Sequence, residues 1–320
     1  MSYCEVKELG DQGRYQKLKE IALSYLSPSK TRKYAVRELG KKPEEFMETL
    51  IDLLDDCEYE VINEAIKGLQ KKQKVERHYD EFIVFKLAGI LKTDFANAVA
   101  QEAFKLLNRI DEGIRVVLLV NVFDETNNED LLDELVLNFA NLKGAKANNK
   151  AKKFMEAYIK NNGDNKKWAV KALGSLQAHD KILLLRSIVK DKNEDIDTRR
   201  AALFALELIE DGRALGIILR AIEDKDLEEL TREVVPAWAL DCGYKDKKAM
   251  KEDLNSEEED LYLSAVFALD YKNYLENPEL LLPYLEDDNS EVRAIAEAKV
   301  NFLGEEVGEE IVKKYFSKRY

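Results

Sequence analysis

Small apolar residues recur along this chain at helical spacing. Val61, Ala65, Gly68 and Leu69 fall at i, i+4, i+7 and i+8, one face of an α-helix. The surrounding pattern, an aliphatic residue or Thr with a small residue four positions on and often a small-plus-Leu pair after that, returns down the chain. Its copies read TRKYAVRELG from Thr31, VINEAIKGLQ from Val61, VAQEAFKLLN from Val99 and LLDELVLNFA from Leu131. They continue as NKKWAVKALG from Asn165, TRRAALFALE from Thr198, TREVVPAWAL from Thr231, LYLSAVFALD from Leu261 and VRAIAEAKVN from Val292. The starts lie 30, 38, 32, 34, 33, 33, 30 and 31 residues apart. A period in the low thirties fits one pair of helices of roughly 10–14 residues with two short turns.

The residue at i+4 is Ala in seven copies (Ala35, Ala65, Ala103, Ala169, Ala202, Ala265, Ala296), a size that lets neighbouring helices come close. The helix before each copy carries bulkier groups, as in Phe46, Met47, Leu50 and Ile51, or Ile182 to Leu185 with Ile188 and Val189. Acidic turns at Asp55-Asp56, Asp191, Asp224 and Asp287-Asp288 precede the copies and suit the capping of free helix N–H groups. The fourth copy, from Leu131, fits least well and leaves the register over 110–150 open.

The segment LLPYLEDDNSEVRAIAEAKVNFLG (281–304) resembles a HEAT repeat of the short, PBS-lyase HEAT-like kind. LIDLLDDCEYEVINEAIKGL (50–69) and DIDTRRAALFAL (195–206) are similar to it. The resemblance implies an all-α fold: a right-handed α-solenoid, an armadillo-like superhelix of about nine helix-pair HEAT-like repeats. The expected organisation is a single solenoid over 1–320, with a capping helix in 1–26, repeats in 27–304 and a capping helix in 305–320. The caps would cover the apolar sides that end repeats otherwise expose.

Composition supports this reading. Among 320 residues, 14 Gly and 5 Pro are too few for the many turns of an all-β fold, and 45% hydrophobic residues supply a long core. No apolar run approaches the ~18 residues of a membrane span, and the charged N-terminus lacks a signal peptide's apolar centre. The expectation is a soluble cytoplasmic protein. Cys4, Cys57 and Cys242 form no CxxC pair and suggest neither a disulfide framework nor a zinc site.

Candidate chemistry is sparse. HEAT-like di-iron hydroxylases bind metal through His-Glu pairs, whereas His78 and His179 are followed by Tyr79 and Asp180. No GxxxxGK[ST], GxGxxG or GxSxG motif occurs, so phosphate loops and nucleophile elbows have no support. No catalytic residue, metal or cofactor is implied.

Charge is uneven although the net value is −13. Residues 143–220 carry 17 basic and 10 acidic side chains, while 221–320 carry 13 and 26. A basic middle beside an acidic end offers a docking surface for an acidic protein or a nucleic-acid backbone, and permits self-association. The residues singled out for partner binding are Lys152, Lys153, Lys166, Lys167, Trp168, Arg200 and Trp238. Arg199 and Arg293 occupy the repeat's usual Arg position and are expected instead to tie a helix to an acidic turn.

Three readings of function follow. The first is a non-catalytic protein-protein scaffold or adaptor. The second is a nucleic-acid-binding or HEAT-like DNA repair protein working through 143–220 and the tryptophans, against which the net charge argues. The third is an accessory, lyase-like protein acting on a cofactor-bearing partner, as bilin-lyase relatives of this repeat do.

Overall fold

The computed structural model describes all residues except 72–76, 93–96, 222, 228–242, 270–272, 275–277 and 308–320. Among the described residues every regular element is helical. The chain divides into two compact units, Met1–Phe154 and Met155–Tyr320. Each unit is an α-solenoid of stacked helical pairs.

In the first unit, α1 (Tyr3–Asp11) and α2 (Tyr15–Leu23) precede α3 (Ser29–Leu39). Pairs then follow: α4 (Pro43–Asp52) with α5 (Tyr59–Gln70), α6 (Arg77–Lys92) with α7 (Asn97–Leu107), and α8 (Glu112–Glu125) with α9 (Glu129–Ala140). The second members stack in one layer, α3 on α5 on α7, and the first members in another, α4 on α6 on α8. Helix α10 (Ala145–Lys160) contains the division between the units.

The second unit continues with α11 (Lys166–Ser175), α12 (Ile182–Lys190), α13 (Ile196–Ile209) and α14 (Gly212–Ala221). Then come α15 (Lys247–Asp253), α16 (Glu259–Phe267), the short α17 (Leu282–Leu285) and α18 (Ser290–Val307). Helix α11 packs on α13, α12 on both α13 and α14, α14 on α16, and α17 on α18. Leu219, Phe267, Tyr284 and Ile295 join α14 and α16–α18 in one apolar cluster.

Every described repeat copy begins at the third residue of a helix, except Asn165, which precedes α11 by one. All seven i+4 alanines are fully buried. Leu135 takes that place in α9 and is fully buried too, so the fourth copy keeps the register despite its poor match. Close approach is visible at two glycines. A methyl on Gly40 would meet the Gly68 Cα at 2.9 Å, and one on Gly174 would meet the Ala205 Cα at 2.6 Å.

Arginines tie helices to acidic turns, as expected. Arg199 is buried, donates to the Val189 carbonyl at 2.8 and 3.0 Å, and pairs with Asp224. Arg293 donates to the Asp287 and Asp288 carbonyls. Arg32, at the same repeat position, pairs with Asp56 in a fully enclosed contact. The acidic turns differ from expectation. Asp56, Asp191, Asp224 and Asp287 accept the backbone N–H two residues on, at 2.9–3.1 Å, rather than capping a helix. The caps lie further along, at Asp195 for α13 and Asn289 for α18.

The termini also depart from the sequence reading. Residues 1–26 hold two helices instead of one, because Gly13 takes a left-handed φ of 71° that ends α1. At the other end α18 runs without a break past residue 304 to Val307, and the remainder of the expected cap lies outside the described residues.

Candidate docking face on α11 and α13

Helices α11 and α13 run at a fixed register. Gly174 faces Ala205, and the Gln177 side chain donates to the Leu208 carbonyl, both 31 residues on. The buried sides of both helices are apolar: Ala169, Ala172 and Leu173 on one, Ala202, Leu203 and Leu206 on the other.

The opposite side carries Lys167 and Lys171, four residues apart on α11. Arg200, Phe204 and Leu208 follow the same four-residue spacing on α13. The register sets the two rows beside one another. Phe204 is 43% and Leu208 50% exposed, which leaves two large apolar groups open to solvent next to three cations. Arg200 is half exposed, with Asp197 at 3.6 Å. Glu207 lies between the two apolar residues in the chain, and burial together with neighbouring Glu210 holds its carboxyl above the usual range.

Of the residues singled out from sequence, Lys167, Trp168 and Arg200 meet in this region, but Trp168 is not a surface group. It is only 7% exposed, with the Lys167 ammonium 4.1 Å and the Lys171 ammonium 5.8 Å from its ring. The indole thus packs beneath lysine stems and contributes a cation–π contact. Lys166 turns elsewhere, pairing with Glu194 and donating to Asn162 Oδ1 at 3.0 Å. Lys152 is half-buried and engaged, while Lys153 is exposed; both belong to the first unit, whereas this face belongs to the second. Trp238 lies outside the described residues.

Sequence reasoning missed Phe204, Leu208 and Lys171. Their signal was present: Phe204 stands two residues after the seam's Ala202, which puts it on the other side of α13. Among the described residues no group of three or more His, Cys, Asp or Glu side chains is placed to hold a metal ion, and no helix is long and apolar enough to cross a membrane.

No protein-family profile matches the chain, and no curated protein matches it. Solved structures of the karyopherin Kap121p are similar to it at low identity. A Kap121p mutant is 11% identical, with 93% of this chain and 38% of that chain covered and a TM-score of 0.43. Kap121p bound to Ste12p is 14% identical, with 87% and 36% covered and a TM-score of 0.42. The chain therefore spans less than two fifths of the length of these structures.

Proposed function

We propose that this chain is a cytoplasmic, non-catalytic protein-binding scaffold of the PBS-lyase HEAT-like kind, and that the α11–α13 face receives an acidic protein segment bearing an apolar side chain. One observation carries the reading: Phe204 and Leu208 are open to solvent on a helix face they share with Arg200, beside Lys167 and Lys171. Apolar groups rimmed by like charges suit a protein partner, since the apolar pair supplies burial and the cations select an acidic sequence. Stacked helices hold these groups with little ordering cost on binding. Free, exposed thiols at Cys4 and Cys57 fit a reducing compartment.

A nucleic-acid role for the same region loses its stacking group, because Trp168 is covered. The test is a paired affinity capture from lysate of the source cells, with nuclease, using the chain and its Arg200→Glu/Phe204→Asp/Leu208→Asp variant. A stoichiometric protein held by the first and lost by the second supports the reading. Equal capture by both, or capture abolished by nuclease alone, overturns it.

A further inference from the structure

The first unit carries a second surface, unrelated to the α11–α13 face. Helices α4, α6 and α8 pack in sequence as one layer. The N-terminal part of α10 adjoins α8: Glu112 accepts the Lys143 N–H at 3.1 Å and the Gly144 N–H, and the Phe123 and Phe154 rings meet edge-on at 6.2 Å.

The four helices present outward positions at one shared spacing, i, i+1, i+4 and i+8. On α4 these are Glu44, Glu45, Glu48 and Asp52, all exposed acids. On α6 they are Glu81, Phe82, Phe85 and Gly89, with Phe82 63% and Phe85 81% exposed. On α8 they are Gly113, Ile114, Val117 and Asn121, with Val117 exposed. On α10 they are Ala145, Lys146, Asn149 and Lys153, and Lys150 is exposed on the same helix. The layer therefore reads acidic, aromatic, aliphatic, basic from one edge to the other.

The charges on the two outer strips are not spent on the chain itself. Lys42 pairs with Glu45, but Glu44, Glu48, Asp52, Lys146, Lys150 and Lys153 have no ion-pair partner among the described residues. The cations nearer the middle are committed: Lys86 to Asp55, Lys92 to Glu125, and Arg115, which is buried, to Glu112. Two Phe rings this exposed on adjacent turns are a costly arrangement for a surface that stays wet.

We propose that this layer is the interface of a homodimer. A two-fold axis through the seam between α6 and α8 lays Phe82, Phe85 and Val117 of one copy on those of the other. The same rotation sets the acidic strip of each copy against the basic strip of its partner. A surface that is acidic on one side of an apolar centre and basic on the other is its own complement, which is what an isologous contact requires. With helices 8–10 Å apart and 1.5 Å of rise per residue, the footprint is roughly 500 Å² per copy. That places the interface near the lower size limit for specific association and predicts micromolar dimerisation.

The experiment is sedimentation equilibrium of the full chain across the micromolar range, beside three exposed-site variants checked by circular dichroism. They are Phe85→Asp, an acid-reversed Glu44→Lys/Glu48→Lys/Asp52→Lys and a base-reversed Lys146→Glu/Lys150→Glu/Lys153→Glu. The expected result is a dimer for the unaltered chain and at least tenfold weaker self-association for each variant. An equimolar mixture of the two charge-reversed variants should regain dimers, because the acidic copy then faces a basic one at both strips. A monomeric unaltered chain, a dimer indifferent to Phe85→Asp, or a mixture that stays monomeric overturns the proposal. None of these outcomes bears on the protein-binding role proposed for the second unit.

Discussion

Arg186 on α12 grips Asp260 on α16 with both arms of its guanidinium: Nε donates to Oδ2 at 2.8 Å and Nη2 to Oδ1 at 2.9 Å, across 74 residues of chain. Glu258 accepts a further hydrogen bond from Nη2. Asp260 is almost completely buried, and burial is the largest single influence and raises its carboxyl; the hydrogen bonds and charge of Arg186, with the charge of Lys190 and the Leu261 N–H, together outweigh that and hold it below the usual range. The pair joins two helices that the repeat pattern alone would not bring together.

Replacing Arg186 by Met leaves that carboxylate buried without its main partner. The expected loss is about 3 kcal/mol, the low end for breaking a buried pair, because Lys190 Nζ stays 3.5 Å from Asp260. Adding Asp260→Asn should recover part of it. Urea denaturation of the four members of the cycle checks this; additive losses would contradict the pairing.

Close packing at Gly174 predicts a steep penalty for any side chain there. Gly174→Val should destabilise by roughly 1–3 kcal/mol through overpacking against Ala205. Gly89→Val, where an added side chain meets nothing within 4 Å, has no such clash, and because Val prefers the helix slightly more than Gly its stability should be unchanged or marginally raised. Thermal denaturation of the two variants, compared side by side, reads the difference.

Trp168 should report a buried environment. In a Trp238→Phe background, where Trp168 is the sole indole, emission is expected to be blue-shifted and poorly quenched by acrylamide. Lys167→Ala should make quenching more efficient by removing the side chain stacked 4.1 Å from the ring. A red-shifted, freely quenched signal would contradict the packing.

Acid stability follows from carboxylates held low in the folded state. The Arg199 bond lowers Asp224, and Lys160 and Lys181 hold Glu156 down to about 2. A depressed acid stabilises fully above its unfolded value and loses that contribution as pH falls toward its folded value. Stability should therefore be flat above about pH 5 and decline below pH 4. Arg199→Gln should flatten part of that decline. Midpoints measured against pH check both; an unchanged slope in the variant would contradict the assignment.

Much of this fold is legible in the sequence because a stacked repeat writes its contacts locally. The alanines at i+4 and the arginine beside the repeat start need only a neighbour about thirty residues away, and the period supplies it. The site is less legible for the same reason turned around. Whether Lys166 faces solvent depends on Glu194, 28 residues later, and no local pattern in either segment announces that pairing. Trp168 is apolar, aromatic and adjacent to lysines in sequence, which fits a stacking platform and a packed indole equally well. Phe82 and Phe85 sit in the run EFIVFKLAGI, which reads as core throughout; only the position of the neighbouring helices separates buried Ile83 and Leu87 from the exposed rings.

The proposed protein-binding role rests on the α11–α13 face, and site-specific photo-crosslinking addresses it directly. A benzoylphenylalanine placed at Phe204 should form a defined adduct with a protein in source lysate. The same probe at exposed Glu257 should not, and Arg200→Glu should abolish the adduct at 204. Equal labelling from both positions, adducts only with nucleic acid, or none at 204 would contradict the account.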